Sequence, residues 1–126
     1  MNLVLMALDH AVESVVASGG PLVPFAMIEV DGNVSLARFA GDLEEGQRRS
    51  REAVNAATNA TRAAVAWDGY LTLQGARTDA VFAEASEIGN SESAVVAQRH
   101  EVVGRLRKSV RPIGNAALAA RQASIL

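Results

Sequence analysis

From Ala63 to Glu87 the chain reads AAVAWDGYLTLQGARTDAVFAEASE, and residue character alternates there over a longer distance than anywhere else in the sequence. Ala63, Val65, Trp67, Gly69, Leu71 and Leu73 occupy one parity, and Ala64, Ala66, Asp68, Tyr70, Thr72 and Gln74 the other. Side chains of a strand point to opposite faces in turn, so a run of period two reads as a strand with one face buried. The chain must therefore build a sheet around this stretch. Asp68-Gly69 suits a two-residue hairpin turn, because both residues tolerate positive φ. The alternation nevertheless crosses Gly69 without a change of phase, which favours one strand with Gly69 as a bulge or a point of close backbone approach. Gln74-Gly75-Ala76-Arg77-Thr78 reads as a loop, and Asp79 to Glu87 as the returning strand, with Val81, Ala83 and Ala85 on one side and Ala80, Phe82 and Glu84 on the other.

The flanking segments supply helices and further strands. Asn2 to Ser18 places Leu5, Leu8, Val12, Val15 and Val16 on a helical stripe that Gly19-Gly20-Pro21 terminates. Phe25–Val30 and Asn33–Phe39 flank Asp31-Gly32, a strong hairpin signal. A two-residue turn sets Glu29 opposite Val34, Met27 opposite Leu36 and Phe25 opposite Arg38. Asp42 with Glu45 three residues on predicts a capped helix to about Asn59, whose acidic first turn and following arginines suit the helix dipole and pairs such as Glu44 with Arg48. Ser93 to Val103 is a further strand. Beyond Gly104 the pattern weakens: Pro112 interrupts strand character, and Asn115 could cap an alanine-rich helix from Ala116 to about Ser124.

The expected fold is α+β: a five-stranded, mainly antiparallel sheet with helices packed on one face, in the order α-β-β-α-β-β-β-α. It forms one domain over residues 1–126, with the segment from about 105 less ordered. By element order, the chain resembles the roadblock and longin-like class of small scaffolds, a likeness of fold that implies no activity.

The chemistry is bounded more by absences. There is no cysteine, which removes disulfides, thiolate metal sites and a cysteine nucleophile. His10 and His100 lie on separate elements without ligand spacing, so no metal site is expected. No Gly-x-Ser-x-Gly elbow, dinucleotide-binding glycine motif or phosphate-loop lysine occurs, and no cofactor is expected. Twelve basic and fourteen acidic residues leave a net charge of -2, which argues against a surface tuned as a whole to nucleic acid. Met1–Leu8 is apolar but lacks a basic start, and no apolar run approaches the length of a membrane span, so a cytoplasmic protein with no membrane partner is expected.

Three groups of residues remain as candidates. Trp67, Asp68, Tyr70, Arg77 and Asp79 lie close enough in sequence for the central hairpin to gather the last four at one end of the sheet, where carboxylates beside an arginine and a phenol could act as acid, base and clamp. The competing reading gives Asp79 a strand-start role, Arg77 an acidic neighbour and Trp67 a place in the core. Arg99, Arg105, Arg107, Lys108 and Arg111 form a basic group able to meet an anion, although without aromatic residues for base stacking. Finally Ala26, Ile28, Val30, Ala37, Ala64 and Ala66, with Ala83 and Ala85, are small or aliphatic residues assigned to one sheet face that helices confined to the other side would leave open. The sequence therefore points first to a non-catalytic interaction or regulatory module that self-associates through its sheet or an edge strand, a dimer by default. The second reading is a small enzyme or ligand-binding protein using Asp68, Tyr70, Arg77 and Asp79.

Overall fold

A computed structural model describes residues 2–104 and 109–126. Its elements are α1 (Leu3–Ser18), β1 (Phe25–Val30), β2 (Asn33–Arg38), α2 (Leu43–Ala56), β3 (Arg62–Leu73), β4 (Ala76–Glu87), β5 (Glu92–Val103) and β6 (Ser109–Ala123). The strands form one antiparallel sheet in the order β2-β1-β3-β4-β5-β6.

The local signals fall where the residues place them. Asn2 caps α1 by accepting from the Val4 amide, and Gly19 closes it in a left-handed conformation. Asp31 and Gly32 both take positive φ, and β1 and β2 pair in the register set by that turn, Phe25 with Arg38 and Met27 with Leu36. Asp42 accepts from the Glu45 amide at 3.0 Å to start α2, along which Arg48 bridges Glu45 and Glu52. β3 runs unbroken through Asp68-Gly69. A Cβ on Gly69 would lie 3.0 Å from the Phe82 ring, so this glycine is a point of close approach. Gln74-Gly75, both at positive φ, suffice as the turn, and β4 starts at Ala76 rather than Asp79.

The sheet has six strands where five are expected. The sixth replaces the helix expected over Ala116–Ser124: residues Ser109–Ala123 pair with β5. Alanine's helical advantage over other ordinary residues is at most about 0.7 kcal/mol per residue. Without β6, the Glu92–Val103 strand would carry an open row of backbone donors and acceptors, and satisfying that row outweighs local preference. Pro112 is tolerated because β6 is an edge strand, where a missing N–H need not interrupt a ladder. Opposite Gln98 the ladder bulges, and the Gln98 amide Nε2 donates to the Ile113 and Gly114 carbonyls at 2.9 and 3.2 Å.

The helices lie on opposite faces, not on one. α1 covers the face of Phe25, Met27, Ala64, Ala66, Val81 and Ala83, with its own Leu3, Val4, Ala7, Leu8, Ala11 and Val15 turned inward. Leu8 and Val15 of the expected stripe point into this core, while Leu5 and Val16 are exposed. α2 covers the other face, where Val54 meets Ala26, Ala63 and Val65, and where Ile125 and Leu126 pack alongside. Small side chains make this two-sided cover possible, since alanines on both faces let each helix approach the sheet closely. The Glu29 carboxylate, bonded by Arg62 on β3 and by Thr61, ties β1 to β3 and is held below the usual carboxylate range chiefly by the Arg62 hydrogen bonds, against the opposing effect of desolvation.

Candidate functional site: the β6 edge and the groove beside it

The residues proposed as a chemical site are partly gathered. Pairing of Tyr70 with Asp79, Asp68 with Val81 and Thr72 with Arg77 places Asp68, Tyr70, Arg77 and Asp79 on the α1 face, while Trp67 projects to the other. Three of the four are engaged, Arg77 with Tyr70 and Asp68 with the backbone. The Arg77 guanidinium stacks over the Tyr70 ring at 3.7 Å from its centroid, and Asp68 Oδ2 accepts from the Leu22 amide at 2.6 Å. Trp67 stacks on Phe82 with ring centroids 5.5 Å apart and lies under the Arg51 guanidinium. The main clefts of the molecule are lined by other residues.

The small-residue face divides. Ala26 pairs with Val65 and Ile28 with Ala63, so Ala26, Ile28, Val30 and Ala37 share the α2 face, whereas Ala64 and Ala66 lie on the α1 face. Assigning them to one face is an error of one residue in the β1 to β3 register, which no turn links directly. Ala26, Ala64 and Ala66 are fully buried by the chain's own helices, Ile28 and Val30 are half-buried, and Ala37 alone of the six is exposed. Of the basic group, Arg111 pairs with Glu101 and Arg99 lies half-buried on β5, while Arg105, Arg107 and Lys108 lie outside the described residues. Among the described residues no three potential metal ligands come together, and no helix is long and apolar enough to cross a membrane.

The uncovered part of the sheet is elsewhere. β2 is a six-residue edge ending in Arg38, whereas β6 is a fifteen-residue edge almost wholly exposed. From Gly114 to Ala120 it carries no charge, and Leu118 is 55% exposed. A long, uncharged edge of this kind leaves a row of backbone groups ready to pair with another strand. Beside it lies a groove. β4 and β5 pair only from Ala80 to Ala85 on β4, so the β3–β4 hairpin parts from β5 toward its tip. Leu71 and Leu73 there face Ala97, Arg99, Asn115 and Ala117 across a cavity of about 270 Å³.

Comparison of the chain with known protein families, curated proteins and solved structures finds no match.

The sequence signal for this surface was weak for a physical reason. Leu71 and Leu73 are legible as one face of a strand, but Asn115–Ala120 lacks alternation because both of its faces and its outer edge are solvated. Its apolar run, NAALAA, is as compatible with a helix as with an edge strand. What could have marked it is β5, which needs a partner on the side away from β4.

Proposed function

We propose that this chain is a non-catalytic interaction or regulatory module that self-associates through its sheet, with β6 of one copy pairing antiparallel to β6 of a second around a two-fold axis. The observation that carries this reading is the free β6 edge itself, long, exposed and uncharged between Gly114 and Ala120. Sheet edges that must stay single are usually shortened, charged or kinked. β2 follows that pattern with its brevity and Arg38, and the first half of β6 does so with Arg111 and Pro112. Between Gly114 and Ala120 no charge interrupts the edge, although the ladder with β5 shifts register at Ala119 and Arg121 follows. Two identical strands laid antiparallel satisfy each other's backbone groups and place the same alanines and Leu118 against their symmetry mates, which is the self-complementarity a two-fold contact requires.

Light scattering at micromolar concentration and above is expected to give twice the 13.2 kDa chain mass. Leu118→Lys with Ala120→Lys, both at exposed positions, is expected to return the protein to a monomer with unchanged circular dichroism, because like charges then meet across the axis. A wild-type chain that stays monomeric to the millimolar range overturns the reading.

A further inference from the structure

The groove beside β6 has a composition that its position in the fold does not require. Its walls are aliphatic, from Leu71, Leu73, Ala97 and Ala117, which share one face of the sheet, and one fixed charge, that of Arg99, lines it together with Asn115. Arg48, Arg51, Arg62 and Arg111 each bond a carboxylate. Among the described residues no carboxylate does the same for Arg99. The backbone leaves room for this cation: a Cβ at Gly114, which has φ of +64°, would lie 2.9 Å from Arg99 Nη2. A half-buried arginine without a carboxylate partner among the described residues attracts an anion more strongly than an exposed one, because less water screens it.

We infer that this groove binds a short fatty carboxylate, the carboxylate accepting from the Arg99 guanidinium and the alkyl chain lying against Leu71, Leu73 and Ala117. The charge on the wall selects an anionic end, and the apolar walls select a hydrocarbon rather than a phosphorylated sugar or a peptide rich in polar groups. At about 270 Å³ the cavity falls just under the usual span of roughly 300–1,000 Å³ for drug-sized ligands, which favours a chain shorter than that of a membrane lipid. All the lining residues belong to one chain, so the site does not depend on association through β6.

Octanoate is the direct probe, titrated into the full chain by calorimetry and by two-dimensional amide NMR, with octanol and octylamine as controls. Octanoate is expected to shift the amides of residues 71–73, 97–99 and 114–119, and to bind about tenfold or more tightly than octanol, the order expected of one charge-assisted hydrogen bond. Octylamine is expected not to bind. Arg99→Gln should reduce the octanoate preference to that of octanol, and Leu73→Asp, at an exposed position, should weaken octanoate by repulsion while leaving the spectrum folded. No octanoate-dependent shifts at millimolar ligand, shifts confined to other residues, or equal affinity for octanoate and octanol would each overturn the inference. So would an Arg99→Gln variant that is folded by NMR and binds octanoate as the wild type does.

Discussion

Glu84 is wholly buried in the middle of β4, yet it is a carboxylate. Three elements converge on it: Arg51 of α2 reaches one oxygen at 2.8 Å, the Gln122 side-chain amide on β6 donates to the same oxygen at 2.8 Å, and the Ser93 hydroxyl on β5 donates to the other. The residue therefore pins α2 and β6 to the centre of the sheet. Its partners differ in what they leave behind when removed. Arg51→Met strands a buried charge with two neutral donors, a situation that costs about 3 kcal/mol or more in other proteins. Glu84→Gln leaves an arginine that is already about a third exposed and free to turn to water, so its cost should be nearer 1 kcal/mol, that of a net hydrogen bond. Urea unfolding of the two variants tests the order, and equal losses would mean that Arg51 contributes through packing on Trp67 and not through Glu84. His100 is the opposite case. Among the described residues, both of its ring nitrogens are buried without a hydrogen-bond partner.

Elements declared themselves in proportion to how much of their identity was local. The β1–β2 hairpin was legible because Asp31-Gly32 sets both turn and register within a dozen residues, and α2 because Asp42 and Glu45 write its start. β3 was legible because its alternation survives Gly69. β6 and the sides taken by the two helices were not legible, since each depends on a partner remote in sequence: β6 on the open side of β5, and α2 on which parity of β1 and β3 it meets. α2 also shows how a glycine reads differently at this scale. Gly46 sits in the first half of the helix, where alanine would ordinarily gain about 1 kcal/mol in propensity. Here a Cβ would fall 2.5 Å from the Phe39 carbonyl oxygen and 3.2 Å from Pro24 Cγ, so the helix rests directly on the chain that leads into and out of the first hairpin. Gly46→Ala is therefore expected to destabilise by about 1–3 kcal/mol, as overpacked sites do, despite the propensity gain. Gly→Ala at an open site of an ordinary helix does the reverse. A stability increase for Gly46→Ala would show that α2 can lift from Phe39 without loss.

Across the molecule the sheet is unevenly clothed. The centre, β1, β3 and the adjoining half of β4, lies between two helices, whereas among the described residues no layer covers the β3–β4 tip or the outer side of β6. Local opening follows such differences, so amide exchange should be slowest at Val65, Ala66 and Val81 and fastest along residues 71–78 and the outer half of β6. Association would change only part of that pattern. If β6 pairs with β6 of a second copy, the outward amides between Asn115 and Ala123 gain partners and their exchange slows as protein concentration rises, while residues 71–78 keep their rates. Hydrogen exchange followed by mass spectrometry at two concentrations, one on each side of the dissociation midpoint from light scattering, separates the cases. Protection that grows on β6 alone places the contact at the edge. If protection instead grows at Ala37 and the exposed side of β2, the molecule associates through its other edge, and the uncharged run from Gly114 to Ala120 serves only to wall the groove in which Arg99 lies.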